Sequence, residues 1–153
     1  MIVLLDSGPL GLASNPKQSA EADACKSWLR GLIADGHRAL VPSITDYEVR
    51  RELRLYRKIN GLRRLDYLVA THGFLSLTDD AMRQAADFWA SARQQGIPTA
   101  DSLALDADVI LAAQAVTLNP VDWGQPNAAV VVATTNVGHL SRFADARLWR
   151  GIP

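Results

Sequence analysis

The chain has 153 residues, 48% of them apolar, enough for one domain with a sizeable core and too few for two ordinary ones. Sixteen Lys and Arg balance sixteen Asp and Glu, so no global field draws it to nucleic acid or membrane, and any such binding must come from a local patch. One cysteine, Cys25, excludes an internal disulfide and fits a reducing compartment; no run approaches transmembrane length, Ile2–Leu5 is too short for a signal peptide core, and a soluble cytoplasmic protein is expected.

The first predicted element is a strand over Ile2-Val3-Leu4-Leu5, apolar on both faces and therefore buried on both. Asp6-Ser7-Gly8-Pro9 stops it with turn chemistry, and Ser14-Asn15-Pro16 reads as a loop. Cys25, Trp28, Leu29, Leu32 and Ile33 recur at helical spacing, which predicts a helix over residues 19–34, ended by Asp35-Gly36. Arg38-Ala39-Leu40-Val41 is a second strand, so the opening is a right-handed βαβ unit. A helix follows from Ser43 or Thr45, with Val49 and Leu53 on its apolar stripe. Asn60-Gly61 breaks it, and Leu62, Leu65, Leu68 and Val69 start another, giving an inserted αα-hairpin.

Phe74-Leu75-Ser76-Leu77 is a third strand. Met82, Ala85, Ala86 and Trp89 mark a helix capped from Thr78 or Asp79 and ended at Gly96, with Ile97-Pro98-Thr99 as a loop. The next helix carries Val109, Ala112, Ala113 and Val116 and is led by Asp106 and Asp108. A long loop over residues 119–127 precedes a very apolar fourth strand, Ala129-Val130-Val131-Val132-Ala133. Asn136-Val137-Gly138-His139 follows it, and Arg147-Leu148-Trp149 is a candidate edge strand. This alternation argues a single α/β domain over 1–153, a three-layer α/β/α sandwich with a mainly parallel central sheet.

Four polar residues share one topological position. Asp6 ends strand one, Glu48 follows strand two, Asp108 opens the helix before the last main strand, and Asn136 follows that strand. All four can converge at the C-terminal edge of the sheet, where open α/β sheets bind ligands. Asp101 and Asp106 are near enough to Asp108 in sequence to join them. Each also has a purely structural role available. Asp6 can cap the next helix, Thr45-Asp46-Tyr47-Glu48 fits a capping box, Asp106 and Asp108 suit a helix N-terminus, and Asn136 suits a turn. Together, however, they place several carboxylates in one cleft, where repulsion calls for a cation. Oxygen-only ligands suit Mg²⁺ or Mn²⁺.

On Ile2-Val3-Leu4-Leu5-Asp6-Ser7, Ser43-Ile44-Thr45-Asp46-Tyr47-Glu48-Val49 and Asp108-Val109-Ile110-Leu111-Ala112-Ala113, the chain resembles the PIN domain family, in particular its bacterial VapC-like group. Ala133-Thr134-Thr135-Asn136 is a fourth, weaker match. Many relatives have a second aspartate where this chain has Asn136, whose amide oxygen can coordinate but brings no charge. The resemblance implies a metal-dependent ribonuclease that hydrolyses RNA phosphodiester bonds, often the toxin of a toxin–antitoxin pair. It implies Asp6, Glu48 and Asp108 as Mg²⁺ or Mn²⁺ ligands and catalytic residues, Asn136 as a possible fourth, and Asp106 as a compensating ligand if its helix starts late. Expected partners are RNA, an antitoxin protein and a second copy in a homodimer.

Arg50, Arg51, Arg54, Arg57, Lys58, Arg63 and Arg64 form a local basic excess interrupted only by Glu52. Arg50, Arg51 and Arg54 are the expected phosphate contacts. The alternative is a solvated helix face, or a seat for an antitoxin peptide or a second subunit. A haloacid-dehalogenase-like phosphotransferase needs an acid where Gly8 stands, and a catalytic lysine beyond Lys58, where none occurs. Ser7 and Ser102 lack a nucleophile elbow. Gly8 and Gly11 make no dinucleotide fingerprint, and the scattered His37, His72 and His139 give no base. From another class, a degenerate PIN-like module that binds RNA or a partner protein is the competing reading, favoured by Asn136 and opposed by the three retained acids.

Overall fold

A computed structural model describes residues 1–96 and 102–153 of the chain. The loop expected at residues 97–99 and the candidate Asp101 lie outside the described residues. Among these described residues there are five strands and six α-helices, and the strands of the sheet are β1 (Ile2–Leu5), β2 (Arg38–Pro42), β3 (Phe74–Leu75), β4 (Val130–Thr134) and β5 (Ala146–Leu148). Their order is β3-β2-β1-β4-β5, and every pairing is parallel. β1 is central, with Leu4 beside Leu40 on one side and Val132 on the other.

Six helices cover the sheet: α1 (Ser7–Ser14), α2 (Ala20–Ala34), α3 (Ser43–Leu55), α4 (Ile59–His72), α5 (Asp79–Gln94) and α6 (Ser102–Thr117). The two-residue period of β1 divides the core. Val3 and Leu5 pack with Leu10 of α1, Cys25 and Leu29 of α2, Val49 of α3 and Leu65 of α4. Ile2 and Leu4 face the other way, onto Leu111 and Ala112 of α6. The small face Ala81, Ala85 and Ala92 brings α5 against Leu105, Val109 and Ala113 of α6. This is the three-layer α/β/α sandwich expected from the alternation of elements.

Five expected details change. The stretch after Asp6 is a helix, α1, and not a turn followed by loop. Pro9 occupies its first turn, where no intrahelical N–H bond is needed, and Leu10 and Ala13 are buried. The break between α3 and α4 falls at residues 56–58, where Arg57 takes a φ of 52°, ahead of Asn60-Gly61. Gly61 is instead a close-approach residue, since a Cβ there would stand 2.7 Å from Leu53 Cδ2. β3 is only two residues long. Helix α6 already runs from Ser102, so Asp106 and Asp108 lie inside it and neither occupies its first turn. Trp149, expected in the last strand, turns inward in a short 3-10 turn and packs 5.5 Å from Trp28.

Candidate active site

Asp6 is fixed by the strand ends around it. Its backbone N–H donates to Ala133 O at 3.0 Å, which ties the residue to the exit of β4. Its Oδ1 accepts from Ser7 N–H at 2.6 Å, so Asp6 does cap α1. Its Oδ2 accepts from Thr134 Oγ1 at 2.6 Å. Thr134 is buried, and its Oγ1 in turn accepts from Asn136 N–H at 3.0 Å. One hydroxyl thus joins the ends of β1 and β4. Thr134 was within reach of the sequence, as a threonine closing an apolar strand, but nothing there separates it from an ordinary strand residue.

Glu48 lies in the second turn of α3. The capping box expected of Thr45 and Glu48 does not form: Pro42 is the N-cap, and the buried Thr45 Oγ1 donates to Pro42 O at 3.0 Å. Glu48 is therefore not spent on backbone donors. Burial pushes its carboxyl up to about 7, with the Asp6 charge next and Asp108 and Glu52 adding to it, while Arg51 opposes. Burial also raises Asp108 to about 6, helped by Asp6 and opposed by His139. Asp6, Glu48 and Asp108, each half-buried, thus sense one another's charge: Asp6 acts on both of the others, and Asp108 acts on Glu48. Among the described residues no group of three or more His, Cys, Asp or Glu side chains is placed to hold a metal ion; the three acids interact as charges. Carboxylate oxygens are the donors that a hard divalent cation such as Mg²⁺ or Mn²⁺ takes, and a cation among them would offset their repulsion.

The other candidates are placed differently. Asp106 is exposed, and two residues along a continuous helix turn it about 200° from Asp108. Asn136 follows β4 as expected, but it is exposed and its Oδ1 accepts from Gly138 N–H at 3.1 Å in a turn. Arg50 makes a two-pronged contact with Asp46 at 2.9 Å and reaches Asp66 on α4 at 2.8 Å, so its guanidinium binds the two helices together. Arg51 lies over the Tyr47 ring at 5.1 Å, and it and Arg54 are exposed. His139, read from sequence as a loop residue or phosphate contact and not as a base, acts electrostatically on Asp108.

Away from the acids, α2 and α4 enclose a groove of about 590 Å³. Leu29, Ile33, Tyr67 and Leu68 line it, and Lys26, Arg30, Arg63 and Arg64 rim it.

No protein-family model and no curated protein matches the chain. Solved structures do. The complex VapBC2 from Rickettsia felis, bound to a DNA fragment from its promoter, contains a chain similar at a TM-score of 0.70 and 15% identity, covering 96% of this chain and 98% of that one. VapBC-1 from nontypeable Haemophilus influenzae gives 0.68 at 16% identity, and FitAcB from Neisseria gonorrhoeae 0.64 at 16% identity. Both likenesses cover 98% of this chain and 99% of the other. At such identities the likeness speaks for the fold: the chain has the PIN-like α/β fold that these structures share.

Proposed function

We propose that the protein is a Mg²⁺- or Mn²⁺-dependent ribonuclease and the toxin of a toxin–antitoxin pair. The observation that supports this reading is the charge coupling of Asp6, at the end of β1, with Glu48 of α3 and Asp108 of α6, whose carboxyls are raised by burial and then by their neighbours. These three residues would hold the cation, which when bound neutralises charge on a phosphate and activates water. Thr134 and Ser7 N–H fix both oxygens of Asp6, so its orientation is set in advance. Without the cation Glu48 is partly protonated near neutrality and Asp108 only at lower pH, and cation binding would displace these protons. Arg51 and Arg54, on the same helix as Glu48, supply phosphate contacts; Arg50 instead holds α3 to α4.

The VapBC likenesses support an antitoxin partner. The apolar, basic-rimmed groove between α2 and α4 fits an amphipathic acidic segment of such a protein. Met82 and Trp89, seven residues apart and exposed on α5, support a homodimer, for which sedimentation equilibrium is the check. Among the described residues no helix is long and apolar enough to cross a membrane. Cys25 is buried, and burial pushes its thiol up to about 11; a cytoplasmic location is part of the proposed reading.

The experiment is cleavage of single-stranded RNA with Mn²⁺, expected to stop with EDTA and in Asp6→Asn. A second reading, a binding module without catalysis, draws on the engagement of Asn136 by Gly138. Tight RNA binding with no cleavage in any divalent cation would favour it.

A further inference from the structure

Beside the carboxylate cleft, a hollow of about 400 Å³ runs between α1 and α3 and is lined at one end by Glu48. Helical spacing sets its walls. Gly8 and Gly11 stand at i and i+3 on α1, flanked by Ser7, Ser14 and Asn15, so one wall carries only small polar side chains and is bare backbone at its two glycines. Glu48, Glu52 and Tyr56 stand at i, i+4 and i+8 on α3 and its C-cap, so the other wall carries two carboxylates and then an aromatic ring. At 1.5 Å per residue that stripe is about 12 Å long. Gly8 has a packing reason to be glycine, since a Cβ would meet Thr135 Oγ1 at 2.5 Å. Gly11 has none: a Cβ there would meet nothing within 4 Å. A glycine inside a helix is unfavourable unless something needs the missing side chain. Here its absence leaves the width of the hollow open. Tyr56 is 67% exposed, so most of its ring is available to a ligand.

We propose that this hollow is a nucleotide subsite that takes a guanine base of single-stranded RNA next to the phosphate held at the Asp6, Glu48 and Asp108 cleft. The proposal rests on the ribonuclease reading and names the substrate feature that the site selects. Unstacked bases of single-stranded RNA are held on aromatic rings and read along their Watson–Crick edges. Tyr56 is the ring. Guanine presents two adjacent N–H donors on that edge, and the Glu52 carboxylate can accept both. Uracil presents a single N–H between two carbonyl oxygens, which a carboxylate repels. Lys58 lines the same hollow, favouring an occupant with a phosphate and opposing a cationic one.

The test uses the full-length protein with Mg²⁺. Chemical-shift titrations with guanosine 5′-monophosphate and uridine 5′-monophosphate are expected to show at least tenfold tighter binding of the guanine nucleotide. Gly11→Leu, which fills the hollow from its bare wall, is expected to weaken that binding at least tenfold with no fall in Tm. Glu52→Gln, on an exposed helix face, keeps the test independent of Gly11 and is expected to bring the two nucleotides to similar affinity. In RNA oligonucleotides differing only beside the cut, the wild-type protein is expected to prefer guanine at one flanking position, and Glu52→Gln to lose that preference. Equal affinities in the wild-type protein, or full binding by Gly11→Leu, would overturn the subsite. Tighter binding of arginine methyl ester at the same resonances would also overturn it and give the hollow to a cationic side chain of a protein partner. Guanine selectivity without any RNA cleavage would keep the subsite and remove the nuclease reading. Cleavage with no base preference would do the reverse.

Discussion

At the residue scale, the site is a balance between repulsion and fixed geometry. Asp6→Asn removes the charge that raises both Glu48 and Asp108. It is expected to abolish cleavage, lower both neighbouring pKa values in an NMR titration, and leave the Tm of the metal-free protein equal or higher. Thr134→Val removes the hydroxyl that holds Asp6 Oδ2 and that accepts from Asn136 N–H. It is expected to cost about 1–3 kcal/mol in urea unfolding, with Thr134→Ser restoring most of it. The raised carboxyls also set a pH dependence. Between the unfolded and folded pKa values the folded state binds more protons, so stability falls as pH rises. For Glu48 that window runs from 4.5 to about 7 and for Asp108 from 3.8 to about 6. The loss is on the order of 1 kcal/mol each once solvent screening of these half-exposed groups is discounted. Urea unfolding at intervals from pH 4 to 8 reads the slope, and saturating Mg²⁺ is expected to flatten it. Asp6, Glu48 and Asp108 were legible in sequence because they follow strand and helix positions. The hydroxyl of Thr134 was not, because its role exists only when the ends of β1 and β4 meet.

At the element scale, helices do the positioning. α1 was illegible because Gly8, Pro9 and Gly11 carry loop propensities, whereas the structure uses each for a different purpose. Pro9 suits a first turn, Gly8 permits contact with Thr135, and Gly11 borders open space. Gly8→Ala is therefore expected to destabilise by about 1–3 kcal/mol, and Gly11→Ala to be neutral or stabilising by up to about 1 kcal/mol. Thermal unfolding of the two variants distinguishes these reasons for glycine. The basic run of α3 likewise divides. Arg51→Gln and Arg54→Gln together are expected to flatten the salt dependence of RNA binding, by about 0.7 in the log–log slope per lost phosphate contact on a single strand. Arg50→Gln is expected to lower Tm with little change in that slope, because its partners are Asp46 and Asp66. Charge counting in sequence treats these arginines alike; only the packing of α3 on α4 separates them.

At the scale of the whole molecule, the strand order β3-β2-β1-β4-β5 makes β1 and β4 neighbours, which is what brings residues 6 and 134 together from opposite ends of the chain. The layers and the parallel sheet were legible because a strand buried on both faces and an alternation of elements leave few topologies. The start of α6 was not, since Asp106 and Asp108 suit a helix N-terminus and drew the expected start to themselves, and with it went the placement of Asp106. All of this depends on three carboxylates forming one cation site. Anomalous diffraction from a crystal soaked in Mn²⁺ tests that most directly. The expected result is a peak bonded to oxygens of Asp6, Glu48 and Asp108. No peak in the cleft, or a peak that leaves any of these three carboxylates unbound, would contradict it.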